Sequence, residues 1–218
     1  MKIHADLSKR AAVDTSDLEW VPSPMAGVDR RMLERDGAEV ARATSIVRYA
    51  AGSAFSAHTH DLGEEFLVLD GVFSDETADF PKGMYVRNPP GSRHVPSSGP
   101  GAVILVKLRQ MDPEDDAFIR VNTLDPAAWQ DGRPGETLLP LHVRPDEEVV
   151  MLHWSPDTQF DTQDFPAGAE YFVLEGRFKD ADGTYDQGTW LRLPPGSRQT
   201  ISTDTGAHVW RKTGHLDR

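Results

Sequence analysis

Four residues of this 218-residue chain have the types and spacing to hold a metal ion: His58, His60, Glu64 and His94. His58 and His60 flank Thr59 in a run that reads as a strand, and side chains two apart on a strand leave from the same face. Asp61, Leu62 and Gly63 can form a tight turn, so that Glu64 opens the next strand beside the histidine pair. His94 follows Pro89-Pro90-Gly91, a stiff turn able to return the chain to the same place. Three neutral imidazoles and one carboxylate suit Zn, Fe, Mn, Ni or Cu better than Ca or Mg, which prefer all-oxygen shells. Four such ligands close a tetrahedral site but leave two positions open on an octahedral ion. One divalent transition metal is therefore the expected cofactor. Glu64 is either its fourth ligand or, if displaced, a base and so the candidate catalytic residue.

The elements that must position these residues come from an internal repeat. GEEFLVLDGVFSD at Gly63–Asp75 returns as GAEYFVLEGRFKD at Gly168–Asp180, and GMYVRNPPGSRH at Gly83–His94 returns as GTWLRLPPGSRQ at Gly188–Gln199, with the same offset of 105 residues and no gap. GAVILVK onto GAHVWRK continues the match. Upstream, Glu19-Trp20 and Ala128-Trp129 correspond with a drift of about four residues. Two copies of one supersecondary unit are expected, over residues 1–111 and 112–218, joined near Met111–Asp116. Within each copy the signal is β. The runs Ala43–Tyr49, Glu65–Leu69, Met84–Arg87 and Ala102–Leu108 are rich in Val, Ile, Leu, Tyr and Phe and bounded by turn formers. The stretches between them are too short for crossover helices, which predicts antiparallel sheets. Gly27–Arg35 and Asp112–Ile119 are the helical candidates.

The second copy serves as an internal control for the site. At the repeat offset His58 becomes Gln163, His60 becomes Phe165, Glu64 becomes Ala169 and His94 becomes Gln199. All four ligand positions change together while Gly176, Phe178, Gly188, Pro194, Pro195 and Gly196 persist. Glu65 has the opposite strand parity and keeps its counterpart Glu170, which gives it a structural role. Arg87 and Arg93 recur as Arg192 and Arg198 and read as structural too. Tyr85 and Phe66 are core residues that could alternatively line the first pocket, and Trp20 and Trp129 are packing anchors. His4, His142, His153, His208 and His215 lack partners at ligand spacing.

The sequence from Gly52 through His58, His60 and Glu64 to Gly71, followed by Gly83, Pro89, Gly91 and His94, resembles the two motifs of the cupin superfamily. That resemblance implies an all-β fold of two tandem jelly-roll barrels, with the metal held by those three histidines and that glutamate inside the first. Ser98 departs from the Asn that usually ends the second motif, at a position that is not a ligand. More narrowly, EEFLVLDGVFSDE and YVRNPPGSRHVPSS resemble the ChrR-type cupins, named for the C-terminal domain of a zinc-binding anti-sigma factor. Relatives of that group include acetylacetone-cleaving dioxygenases, which use iron and three histidines. The anti-sigma activity itself belongs to a separate helical domain with a His/Cys zinc site, and neither that domain nor any Cys is expected here.

Composition narrows the function classes. A formal charge of −12 with dispersed Lys and Arg argues against nucleic-acid or anionic-membrane partners. The absence of Cys excludes disulfides, thiolate metal sites and thiol nucleophiles. There is no G-x-S-x-G elbow, no phosphate loop and no acidic pair for glycosidase chemistry. Without a signal peptide or spanning segment, a cytoplasmic location is the default. The expected partner is a small molecule, and the architecture leaves room for a homodimer. Two functional readings stand: a metal-dependent dioxygenase or related enzyme acting on a small oxygenated molecule, and a non-enzymatic metal- or ligand-sensing module. A structural zinc barrel without turnover is a third.

Overall fold

The repeat is realised as two antiparallel sheets with the same strand order, in a computed structural model that describes residues 1–217. In the first unit the main sheet runs Lys2–Ile3, Val28–Gly37, Ala41–Tyr49, Ala102–Leu108, Glu64–Ser74, Met84–Asn88 and Ile119–Asn122, and a two-stranded sheet joins His58–His60 to Ser92–His94. In the second unit the order is Gln130–Asp131, Glu136–Val143, Glu148–Trp154, Ala207–Thr213, Ala169–Asp180, Thr189–Leu193 and Ala11–Asp14, with Gln163–Phe165 joined to Ser197–Gln199. The expected all-β, tandem jelly-roll architecture is the one observed.

Successive residues of a strand leave opposite faces, which is how a pleated sheet closes over a core. The first core contains Phe66, Phe73, Phe80, Val86, Ile104 and Val106. The second is heavier in aromatics, with Trp154, Phe160, Phe165, Tyr171, Phe178 and Tyr185. Burying each such ring contributes on the order of 2–3 kcal/mol. The strand register repeats as faithfully as the sequence. A shift between Val103 and Ile104 against Glu64–Ser74 recurs between Val173 and Glu175 against Ala207–Thr213. Gly71 and Gly176 follow that irregularity at φ +72 and +69, and a Cβ there would lie 2.0 and 2.1 Å from the carbonyl oxygens of Gly101 and Gly206. Only glycine fits.

The copies in sequence and the compact units in space are not the same sets of residues. One unit comprises Met1–Ala5 and Leu18–Leu124; the other comprises Asp6–Asp17 and the chain from Asp125 onward. The strand that leads into each copy pairs with the other copy's sheet: Ile119–Asn122 zips onto Met84–Asn88, and Ala11–Asp14 onto Thr189–Leu193. The hydroxyl of Thr123 donates to the Gly83 carbonyl at 2.7 Å, and that of Thr15 donates to the Gly188 carbonyl at 2.8 Å.

Both helical expectations fail. Gly27 closes a turn and Val28–Arg35 lies in the strand Val28–Gly37, which is paired along its length with Ala41–Tyr49. Asp112–Ile119 is a turn that leads into the strand Ile119–Asn122. No α-helix occurs among the described residues, so none is long and apolar enough to cross a membrane.

Candidate metal centre

His58 and His60 leave the same face of their strand, and His94 stands directly opposite His58 in the antiparallel register. Two turns fix this arrangement. The amide of Gly63 donates to the His60 carbonyl at 3.2 Å, and that of Gly91 donates to the same carbonyl at 2.8 Å. Gly63 sits at φ +76 with Met111 packed where a Cβ would stand, so the tight turn into Glu64 requires glycine.

The three imidazoles converge through their Nε2 atoms, with His60 to His94 at 3.0 Å and His94 to His58 at 3.3 Å. Their ring centroids are 4.7–4.9 Å apart and their planes are inclined by 72–75°, like the blades of a propeller. Glu64 Oε2 lies 3.4 Å from His60 Nε2 and 3.7 Å from His94 Nε2. Donors held about 2.0–2.2 Å from a shared ion, at angles between octahedral and tetrahedral, stand about 2.8–3.6 Å apart. The observed separations fall in or close to that window, and the nitrogen and carboxylate donors suit a divalent transition ion. Histidines His58, His60 and His94 thus form a group able to hold one metal ion.

The outward nitrogen of His58 is also arranged for ligation. His58 Nδ1 lies 3.2 Å from the Ser56 carbonyl, which with Nδ1 protonated leaves Nε2 as the free donor. His94 Nδ1 lies 3.8 Å from Asp75 Oδ2. Burial pushes the His60 imidazole down to about 4, helped by His58, and lowers His94 as well. Both rings are thereby kept neutral, the form that ligates. Burial raises the Glu64 carboxyl, opposed by His94 and by the hydrogen bond from Asn88.

The site lies on a cavity of about 480 Å³ whose walls include Val28, Val47, Tyr49, Phe55, Val106 and Leu108. Arg109 pairs with Asp61 and Arg30 with Glu39 among the residues around it. Of the aromatics singled out in the sequence, neither Tyr85 nor Phe66 lines this cavity. Phe66 packs on Phe73 at 4.8 Å, and the Tyr85 hydroxyl donates to Glu65 at 2.8 Å. Tyr49, just before the first motif, and Phe55, within it, are the aromatics that do line it.

The residues read as structural have structural partners. Glu65 and Asp115 both pair with the buried Arg87 guanidinium, at 2.7 and 2.5 Å. Arg192 donates to the carbonyls of Asp6 and Lys9, and Arg198 pairs with Asp164 at an exposed position. The Trp20 ring lies under the guanidinium groups of Arg31 and Arg48. Asn88 and Arg120, which no motif spacing marks, also belong to the site: Asn88 Nδ2 donates to Glu64 Oε2 at 3.1 Å, and Arg120 donates to Asn88 Oδ1 at 2.8 Å.

In the second unit the equivalent positions carry no ligand set. Gln163 and Gln199 face each other as His58 and His94 do, Phe165 lies in the core with its ring 6.3 Å from that of Tyr171, and Gln199 donates to Asp180 at 2.7 Å. Asp180 also receives Arg10 at 2.6 Å.

Fold and site together define a two-barrel cupin with a histidine-rich centre in one barrel. The family model for the ChrR Cupin-like domain matches residues 8–112 and again residues 117–217, and the chain belongs to that family. No curated protein matches significantly. Among solved structures, the chain is similar to a candidate dioxygenase from Nostoc punctiforme, at 18% identity and a TM-score of 0.79, over 97% of this chain and 85% of that one. It is also similar to a bacterial pirin from Escherichia coli in complex with nickel(II), at 15% identity and a TM-score of 0.67, over 94% and 98%. A third similar structure is the Mn(II) oxalate decarboxylase of Bacillus subtilis, at 12% identity and a TM-score of 0.65, over 97% and 78%. At these identities the likeness speaks to fold.

Proposed function

We propose that the first barrel binds one divalent transition metal through His58, His60, His94 and Glu64, and that the protein is a metal-dependent enzyme of the dioxygenase type acting on a small oxygenated molecule such as a β-dicarbonyl or hydroxyketone. The observation that carries this reading is the convergence of three imidazole Nε2 atoms, 3.0 and 3.3 Å apart along the chain of contacts, on an apolar cavity. The nickel, manganese and dioxygenase descriptions of the similar structures agree with it.

Bound there, such an ion supplies Lewis acidity and open coordination positions. The protein's own residues do the rest. His60 and His94 present neutral nitrogens because burial disfavours their charged forms, and His58 completes the cluster through its Nε2. Val28, Val47, Phe55 and Leu108 give the cavity apolar walls, beside which electrostatic contacts are screened less than in bulk water. Glu64, whose carboxyl burial has raised, is suited to take the acidic proton between two carbonyl groups and hold it on a carboxylate oxygen. A cytoplasmic location is part of this proposal.

The test is oxygen consumption by Fe(II)-loaded protein over a panel of β-dicarbonyls and hydroxyketones, with His94→Gln as control. Turnover lost in the variant supports the enzyme. Stoichiometric metal with neither oxygen uptake nor product on any substrate contradicts it and favours the sensing module.

A further inference from the structure

We propose that Asn88 and Arg120 are positioning residues that fix the Glu64 carboxylate against the histidine cluster, an inference that rests on the metal-binding reading above. Asn88 stands directly across the sheet from Glu64, on neighbouring antiparallel strands, so both side chains leave one face. Asn88 is 4% exposed and its amide is bonded at both ends: Nδ2 donates to Glu64 Oε2 at 3.1 Å and Oδ1 accepts from Arg120 Nη2 at 2.8 Å. This pair of partners settles which end of the amide faces which way. Rotating it would set an oxygen against a carboxylate and an NH2 against a guanidinium, replacing two attractions with two repulsions. Arg120 is itself held in place. Its Nη1 donates to the Arg87 carbonyl at 3.0 Å and the Ile119 carbonyl at 2.8 Å, and its guanidinium lies 5.2 Å from the centre of the Phe80 ring. The chain of contacts therefore runs from an anchored cation through an oriented amide to one oxygen of the ligand carboxylate, the oxygen that lies 3.4 Å from His60.

The second unit shows what the same fold does without a site. Arg120 is registered against Val86, and the residue registered against the equivalent Leu191 is Ala12. Asn88 corresponds to Leu193 and Glu64 to Ala169, which face each other across the sheet as Asn88 and Glu64 do. Every polar member of the chain is replaced by an apolar residue in the unit whose histidines are also replaced. The docking of the strand is untouched, since Thr15 caps Gly188 as Thr123 caps Gly83. Holding the strand on the sheet thus needs neither Arg120 nor Asn88. Their polarity goes with the site.

The experiment uses the full-length protein freed of metal and titrated with Co(II), reading affinity by chelator competition and the visible d–d bands, whose intensity reports coordination number. Asn88→Leu, the residue of the second unit, is expected to weaken Co(II) about 10- to 100-fold, in line with loss of an outer contact to a ligand, and to alter the bands. Arg120→Ala is expected to move both readouts in the same direction, and Arg120→Lys to restore them. Glu64→Gln with Asn88→Leu should bind no more weakly than Glu64→Gln alone, because Asn88 acts through Glu64. Should Asn88→Leu fail to fold, the same cycle run with Arg120→Ala carries the test. Wild-type affinity and bands in the Asn88 or Arg120 variants, or a loss that adds in full to that of Glu64→Gln, would overturn the inference. Wild-type protein that binds no Co(II) would overturn the metal reading beneath it.

Discussion

Glu64 and Glu65, adjacent on one strand, serve opposite sides of the sheet. Glu64 Oε2 lies 3.4 Å from His60 Nε2 in the histidine cluster, whereas Glu65 Oε2 accepts from Arg87 at 2.7 Å and from the Tyr85 hydroxyl at 2.8 Å. The two-residue period of a strand produces this division of labour. It also separates two consequences of mutation, since one carboxylate bears on the metal and the other on the fold.

Glu65→Ala should damage stability and spare the site. It leaves the Arg87 guanidinium, which is 0% exposed, with Asp115 but without its second carboxylate. Breaking a buried pair from one side costs about 3–5 kcal/mol, so the midpoint of chemical unfolding should fall well below wild type while Co(II) affinity of the folded protein stays unchanged. Glu64→Gln should show the reverse pattern.

The metal-free protein should lose stability in acid partly through His60. Its folded-state value is held down to about 4, chiefly by burial and then by His58, against an ordinary value of 6.5. A depressed value means that the unfolded chain binds the proton first. The contribution is therefore complete above about pH 6.5 and disappears as pH falls towards about 4, and it amounts to roughly 3 kcal/mol. Unfolding of chelated protein followed across that range should show a steeper loss in wild type than in His60→Gln. Parallel curves would contradict the assignment.

Gly71→Ala and Gly176→Ala should be equally harmful despite lying in units of different chemistry. Each new methyl would meet a backbone carbonyl oxygen, at 2.0 and 2.1 Å, in a left-handed conformation. A loss of at least about 2 kcal/mol is expected for each, read as a drop in melting temperature of roughly 4 °C or more. Gly91→Ala, also at positive φ but with open space around its Cβ position, should cost less.

The parts legible in the sequence were those encoded locally. His58, His60 and Glu64 sit within one hairpin-like segment, and the ungapped offset between the copies carried the strand register along with the sequence. Gly27–Arg35 resembles a helix in sequence because Val28, Met32 and Leu33 have helical spacing, while the pairing with Ala41–Tyr49 that makes Val28–Arg35 a strand is a tertiary fact. Asn88 was hidden by its place before Pro89-Pro90, where a strand-end Asn is ordinary. Arg120 was hidden because its strand belongs by sequence to the lead-in of the second copy, yet zips onto the sheet of the first. No local pattern announces that exchange. The shift in offset that accompanies it, with Thr15 matching Thr123 while Gly63 matches Gly168, was its one trace in the sequence.

The most direct test of the account is elemental analysis of protein purified without chelator, comparing wild type with a variant carrying the second copy's residues at the four positions: His58→Gln, His60→Phe, Glu64→Ala and His94→Gln. Wild type should carry one transition-metal ion per chain and the folded variant none. Equal metal content in the two proteins would contradict the assignment of the ion to the first barrel.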